Sequence, residues 1–154
     1  MSQERDNATE REQGEVLLGY LIKQVQLAFN REMSLVLDAH QLTITGYAAL
    51  FHLNHGQEGM SNAQIARASW VTPQTMHRVT TSLQSDGLIV MDSTQGRAIR
   101  FVLTDTGRAR LVAATRDVEA LESQMARGLS CDEVSRLSGL LQTCLENLDA
   151  LAQS

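Results

Sequence analysis

Six side chains that can form hydrogen bonds cluster in one short segment of the chain. They are Thr72, Gln74, Thr75, His77, Arg78 and Thr81. Amide and imidazole groups can pair with the edges of purine bases, and arginine can contact guanine or a phosphate. Threonine hydroxyls and the free N–H groups at the start of a helix can hold a phosphate. This combination predicts a DNA-binding surface, and the alternative is a polar helix face that is merely solvated.

The same segment carries the signals of a helix that holds these side chains. Thr72 is a suitable N-cap, and Pro73 follows at the first helical position, where its missing N–H costs nothing. The apolar stripe of the segment consists of Met76, Val79 and Leu83. We therefore expect a helix over residues 73–86 that buries this stripe, leaves the polar side chains in solvent and ends at Gly87.

The sequence around this helix predicts a winged helix-turn-helix. Ser61 and Gln64 have the spacing of a capping box at the start of a shorter preceding helix. Residues 88–104 contain two apolar runs separated by the turn sequence STQG, which predicts a β-hairpin with Arg97 near its tip. In this motif the second helix enters the major groove, and an arginine at the hairpin tip suits a narrow minor groove.

Long helices with apolar faces are expected on both sides of the motif. The apolar pattern of residues 16–37 predicts one long helix, and another is expected to start near Thr104. In the last helix, leucines between residues 134 and 151 form a stripe that is nearly a coiled-coil seam. These faces exceed what one small winged helix can cover, so a second copy of the chain is expected, and a closed monomeric bundle is the alternative. The predicted fold is mainly α, a winged helix-turn-helix whose N- and C-terminal helices form a dimerisation lobe.

The chain is expected to divide into three kinds of region. Residues 1–12 are charged and without periodicity, which predicts a disordered tail. Residues 13–41 and 108–152 are assigned to the dimerisation helices, and residues 42–107 to the DNA-binding lobe.

The charge distribution favours nucleic acid only locally. The formal net charge of −5 argues against DNA binding, because phosphate contacts need Lys and Arg. Residues 61–110, however, contain six arginines and three aspartates, which gives +3 there and −8 in the remainder. The overall acidity leaves open a winged helix that binds a partner protein. With no apolar run of membrane-spanning length and no signal peptide, a cytoplasmic protein without membrane contact is expected.

Other chemistries find little support in the sequence. No nucleophile elbow, phosphate-binding glycine loop or zinc motif is present, so an enzyme is not expected, and neither is a cofactor. His52 and His55 are one helical turn apart and His40 is not far off, but without further ligands no metal site is predicted. Cys131 and Cys144 are expected to be free thiols, and oxidation of Cys131 near a helix start is an alternative mode of regulation.

Three segments of the chain resemble the MarR family of bacterial transcription regulators. They are LTITGYAAL at 42–50, SNAQIARASWVTPQTMHRVTTSLQSDGLI at 61–89, and GRAIRFVLTDTGRA at 96–109, which contains the family's Leu-Thr-x-x-Gly signature. The resemblance covers roughly residues 15–150. It implies a homodimer that binds pseudo-palindromic DNA near promoters, more often as a repressor, and that is often released by a small phenolic ligand or by oxidation.

The resemblance also assigns roles by position. Thr72, Gln74, Thr75, His77 and Arg78 match the family's recognition helix, and Arg97 matches its wing-tip arginine. The wing departs from the family pattern, because Gln95 stands where an acidic residue is common. The missing salt bridge predicts a more mobile wing, with DNA binding retained.

An effector site is expected where the dimerisation helices meet the DNA-binding lobe, since a ligand there can change the spacing of two recognition helices. The candidate lining residues are Tyr20, Tyr47, Phe51, His52 and Trp70. Each of them also suits an ordinary hydrophobic core. The expected partners are therefore double-stranded DNA, a second copy of the chain and a small aromatic or phenolic effector.

Overall fold

The computed structural model describes residues 2–56, 59–92 and 99–152, with side chains from residue 18 onward. The helices are α1 (Ser2–Asp38), α2 (Ile44–His55), α3 (Asn62–Ala68), α4 (Pro73–Ser85), α5 (Asp105–Met125) and α6 (Cys131–Ala152). Two strands, β1 (Ile89–Asp92) and β2 (Arg100–Leu103), lie between α4 and α5 in chain order. The chain divides into two compact units, Met1–Glu119 and Ala120–Ser154. Within the described residues, no helix is long and apolar enough to cross a membrane.

The first helix ends close to its predicted end but begins at Ser2. It therefore includes residues 2–12, for which the sequence analysis expected a disordered tail. These residues lack an apolar stripe, yet they include Glu, Gln, Arg and Ala, which favour helix, and no Pro or Gly interrupts them. The division of the chain into tail, dimerisation helices and DNA-binding lobe stays a prediction.

The core of the first unit is built from fully buried side chains that several elements contribute. The largest apolar ones are Leu37, Leu50, Ile65, Met76, Leu88 and Ile89. They come from α1, α2, α3, α4 and the start of the hairpin. Full burial of such a side chain stabilises a fold by about 1.5–3 kcal/mol, so this cluster fixes α3 and α4 against the rest of the unit.

Capping bonds fix the starts of α2 and α3, and the capping box at α3 confirms the prediction. The Thr43 hydroxyl accepts from the backbone N–H of Gly46 at 3.0 Å at the start of α2. At the start of α3, Ser61 and Gln64 form the reciprocal capping box, with the Ser61 N–H donating to the Gln64 side chain at 2.9 Å. These bonds satisfy backbone donors that a helix leaves free in its first turn.

The two strands form the predicted antiparallel hairpin. Ile89 pairs with Leu103, and Asp92 pairs with Arg100. The chain just before α3 joins this sheet, because the N–H of Met60 donates to the Phe101 carbonyl at 3.1 Å. The hairpin is thus attached to the helix-turn-helix at its strands. The predicted tip, with Arg97 and Gln95, lies outside the described residues.

The close contact between the hairpin and α5 depends on a glycine. The Thr104 hydroxyl accepts from the Gly107 N–H at 2.9 Å and donates to the Gly87 carbonyl at 2.7 Å. A Cβ atom added at Gly107 would lie 2.0 Å from the carbonyl oxygen of Leu88, which is far inside van der Waals contact. The Leu-Thr-x-x-Gly signature therefore combines a helix cap with a close backbone approach.

The second unit contains α6, which begins with a capping box. The Ser130 N–H donates to the Glu133 carboxylate at 2.8 Å, and the Glu133 N–H donates to the Ser130 hydroxyl at 3.3 Å. The bond from the Ser130 backbone lowers the pKa of the Glu133 carboxyl from its ordinary value, because it stabilises the charged form. No described residue of α6 is buried.

Candidate nucleic-acid interface

The fourth helix exposes every side chain that the sequence assigned to DNA contact on this segment. The exposed residues are Thr72, Gln74, Thr75, His77, Arg78 and Thr81. The buried ones are Met76, Thr80 and Leu83. The helix contains no Asp or Glu, so no carboxylate on α4 would repel a polyanion. Its exposed face presents one guanidinium, one imidazole and several neutral hydrogen-bonding groups, which is a suitable set for bases and phosphates.

The first turn of α4 is held by its cap. The Thr72 hydroxyl accepts from the Thr75 N–H at 3.1 Å and also bonds the Thr75 hydroxyl at 2.9 Å. Pro73 occupies the first helical position, as predicted. Because the Thr72 hydroxyl is engaged in the cap, its first task is to fix the start of the helix.

A partly buried polar contact that the sequence did not reveal ties α3 to α4. The side-chain amide of Asn62, at the start of α3, donates to the Pro73 carbonyl at 2.9 Å. Its oxygen accepts from the Thr80 hydroxyl at 3.2 Å, and the same hydroxyl also donates to the His77 carbonyl at 3.1 Å. Thr80 is 1% exposed. Asn62 therefore contacts both the start and the middle of α4. Thr80 is four residues after Met76 on the apolar side, a spacing that could have revealed its burial.

Arg78 lies beside a shallow groove where α4 meets the turn after α1. The groove has a volume of about 210 Å³, and its lining includes Arg78, Asp86 and Gln41. The Arg78 side chain is exposed, so its guanidinium can turn towards a ligand without breaking a buried ion pair.

The local arginines do not all face outward for binding. Arg100 donates to the Gly59 carbonyl at 3.1 Å, and Arg108 donates to the Asn54 side chain at 3.0 Å. Both bonds join neighbouring elements of the first unit. The local positive charge predicted from the sequence thus serves the fold in part, which a residue count could not show.

The proposed effector residues do not form one site. Tyr47 is buried, and its hydroxyl bonds the Thr115 hydroxyl at 3.2 Å. Phe51 lies beside it, with ring centroids 6.3 Å apart, and His52 is the next residue on α2. Tyr20 on α1 is 57% exposed and Trp70, in the turn between α3 and α4, is 80% exposed. Such exposure does not fit a residue that lines a pocket, because an open turn offers a ligand little enclosure.

A groove between α2 and α5 contains one of these candidates, Phe51. Its volume is about 420 Å³. Its lining residues are Phe51, Asn54, His55, Leu111, Val112, Thr115, Arg116 and Glu119. The Phe51 and His55 rings are 4.4 Å apart. The groove combines an aromatic wall and apolar side chains with the Arg116 guanidinium and the Glu119 carboxylate, a lining that suits a small aromatic ligand with a polar group.

The structure shows how the histidines and cysteines singled out in the sequence are placed. Within the described part of the chain, no three His, Cys, Asp or Glu side chains are grouped as a metal site. His40 instead pairs with Asp117, with 2.7 Å between Nε2 and Oδ2. Cys131 is exposed and Cys144 is half-buried, and both are free thiols.

Comparison with known proteins finds relatives of similar sequence and similar fold. No protein-family model matches the chain. The HTH-type transcriptional repressor Rv2887 of Mycobacterium tuberculosis (strain ATCC 25618 / H37Rv) is 29% identical over 127 residues, which cover 81% of this chain and 91% of the relative. A solved structure of a MarR family regulator from Rhodococcus sp. RHA1 matches this chain with a TM-score of 0.77 at 20% identity. The match covers 84% of this chain and 93% of that one, so the two chains share a fold.

Two solved structures of the mycobacterial protein are also similar to the chain. Its complex with salicylic acid has a TM-score of 0.69 at 29% identity and covers 82% of this chain and 95% of that one. Its complex with DNA has a TM-score of 0.69 at 28% identity, and the match covers 82% of this chain and 96% of that one. The fold is a winged helix-turn-helix, as predicted. The chain is similar in sequence and fold to transcription regulators of the MarR family, in agreement with the sequence resemblance.

Proposed function

We propose that the protein is a dimeric transcription repressor that binds a pseudo-palindromic operator and is released by a small aromatic acid. The observation that carries the proposal is the exposed polar face of α4, held by the Thr72 cap and by Asn62. A polar face fixed in this way can enter the major groove as a rigid element. The similar mycobacterial protein is named a repressor and has been solved with DNA, which supports the same role here.

Each exposed group on α4 has a task that its chemistry suits. Gln74 and His77 would pair with purine edges, and Arg78 would pair with guanine or a phosphate. Thr75 and Thr81 supply further hydroxyl contacts, although the Thr81 hydroxyl donates to the His77 carbonyl at 2.8 Å in the free protein. In the wing, Arg97 is assigned to the minor groove on the basis of its sequence position alone.

Dimerisation is supported by apolar surface that each unit leaves in solvent. In the second unit, Leu140, Leu148 and Leu151 of α6 are 58%, 62% and 72% exposed. In the first unit, Leu21 and Val25 of α1 are 50% and 54% exposed. Soluble monomers rarely leave such stripes uncovered, and a second copy covers them by symmetry. Two-fold symmetry would place two recognition helices on half-sites about one helical turn apart.

The groove between α2 and α5 is the proposed effector site. Arg116 is the natural partner of a carboxylate, and the Phe51 and His55 rings can pack against an aromatic ring. The salicylic acid complex of the mycobacterial relative supports this ligand class. A ligand there changes DNA affinity if it binds better to a dimer whose two α4 helices are wrongly spaced for the operator.

Selection from a random duplex library tests the proposed function. The purified protein should enrich a two-fold symmetric sequence with half-site centres about 10 base pairs apart. A parallel selection without protein controls for amplification bias. Recovery of no common sequence would contradict the proposal, and recovery of a single unpaired half-site would contradict its dimeric form.

A further inference from the structure

Trp70 occupies an unusual position for the only tryptophan of the chain. It lies in the turn between α3 and α4 and is 80% exposed. Its backbone φ is +55°, in the left-handed region that side chains larger than Gly, Asn or Asp seldom adopt. The residue therefore combines a large solvated apolar surface with an unfavourable backbone conformation.

The fold itself does not require tryptophan here. The turn is fixed by backbone bonds, from the Trp70 N–H to the Arg67 carbonyl at 3.3 Å and from the Val71 N–H to the Ala66 carbonyl at 3.0 Å. Glycine would make the same bonds, adopt the same φ more easily and expose less apolar surface. The preceding residue adds to the local cost, because the Ser69 hydroxyl is buried without a hydrogen-bond partner among the described residues.

The position of the turn indicates what Trp70 contacts. It precedes the Thr72 cap by two residues, so it adjoins the first turn of α4, where Gln74 and Thr75 are exposed. In a helix-turn-helix this end of the second helix approaches the DNA. Arg67, whose carbonyl accepts from Trp70, is also exposed and adds positive charge to the same turn.

We propose that Trp70 packs against the sugar-phosphate backbone of bound duplex DNA. The indole ring would cover a deoxyribose, and its Nε1–H would donate to a phosphate oxygen, since tryptophan is a donor only. The contact carries no charge and reads no base. This inference rests on the proposed function, and it adds a sequence-independent contact that holds α4 in register on the duplex.

A second copy of the chain is a poorer occupant of this surface. Among the described residues of α3, α4 and the turn between them, Trp70 is the one large apolar side chain in the exposed class. A protein interface is expected to bury a cluster of such side chains, and the clusters lie on α1 and α6. A single ring among polar and cationic groups suits a sugar and its phosphate better.

Tryptophan emission and DNA affinity together test the proposal. The probe is a mixed-sequence duplex of about three helical turns, because the contact does not depend on sequence. Its addition should change the Trp70 emission with the same midpoint as binding followed by anisotropy of the labelled duplex. Trp70→Gly should lose about tenfold in affinity, and Trp70→Phe less, as expected for one hydrogen bond and its packing. The salt dependence should stay the same, because no counterion is released by an uncharged ring.

Thermal unfolding of Trp70→Gly separates a contact with DNA from a role in folding. Its midpoint should equal or exceed that of the wild type, because glycine fits the left-handed turn better. A lower midpoint would show that the ring packs within the fold and would overturn the inference. Unchanged affinity in Trp70→Gly would also overturn it, as would an emission change on dilution without DNA. In these cases a symmetric sequence enriched by the wild type in the duplex selection leaves the proposed function standing. A wild type that binds neither the mixed-sequence duplex nor any selected sequence removes both.

Discussion

Thr80 and Asn62 form a hydrogen bond of 3.2 Å that joins the buried side of α4 to the first turn of α3. Asn62 also reaches the Pro73 carbonyl, so one amide restrains two points of the helix. Packing alone allows a helix to slide or rotate slightly, whereas a directional hydrogen bond fixes its register. The exposed face of α4 is therefore presented in one orientation.

Replacing Thr80 by valine tests this restraint. Thr80→Val keeps the shape of the side chain but leaves the Asn62 oxygen without its donor, so the free energy of unfolding should fall by about 1–2 kcal/mol. Thr81→Val is the matched control, because its hydroxyl bonds the His77 carbonyl in an exposed position and should change stability by less than about 0.5 kcal/mol. Urea unfolding measures both. Equal losses in the two variants would show that the Asn62 contact does not contribute.

The contact between Gly107 and Leu88 leads to a second prediction. Gly107→Ala places a methyl group 2.0 Å from a backbone oxygen, so the hairpin and α5 must separate, and the loss of stability should be about 3 kcal/mol or more. Gly139→Ala is the control, because a Cβ there meets nothing within 4 Å and helix propensity should raise stability by about 0.5–1 kcal/mol. Thermal unfolding of the two variants should therefore shift in opposite directions. A Gly107→Ala protein with wild-type stability would refute the close approach.

The exposed leucines of α6 predict how dimerisation can be broken. Leu148→Glu puts a charge on the apolar stripe, and burial of that charge in an interface is unfavourable, so sedimentation equilibrium should detect monomer at micromolar concentration. Ser135→Glu adds the same charge at an exposed polar position of the same helix and should stay dimeric. If Leu148→Glu and wild type sediment alike as dimers, α6 is not the interface.

The guanidinium of Arg116 predicts the response to an aromatic acid. Salicylate should weaken DNA binding by the wild type, and Arg116→Ala should need about tenfold more salicylate because it lacks the charged partner of the carboxylate. Arg127→Ala removes an exposed arginine outside the groove and should respond like the wild type. Anisotropy of a labelled operator measured against salicylate concentration gives both values. An unchanged response in Arg116→Ala would move the effector site elsewhere.

The parts of the fold that could be predicted depend on residues close in sequence. Capping pairs such as Ser61 with Gln64 and Ser130 with Glu133 lie three positions apart, so their types and spacing are visible in the sequence. The Asn62 to Thr80 bond spans eighteen positions, and no local pattern encodes it. The groove beside Arg116 likewise requires α2 and α5 to meet, which periodicity cannot specify.

Trp70 illustrates why a residue type can mislead. An aromatic residue near an apolar run favours a buried position, which placed Trp70 among the candidate pocket residues. The backbone leaves α3 in a left-handed conformation at this residue, and its side chain is exposed in the turn. The sequence carries no signal of this conformation, because tryptophan seldom adopts a positive φ.

DNA binding by the α4 surface is tested most directly by replacing Gln74, His77 and Arg78 together with alanine and measuring affinity for the selected operator. All three side chains are exposed, so the variant should fold and dimerise like the wild type. With Arg127→Ala as the charge-matched control, the triple variant should lose at least about 100-fold in operator affinity, since each base contact contributes about 1–3 kcal/mol of discrimination. A folded triple variant that binds the operator as tightly as the Arg127→Ala protein would contradict the account.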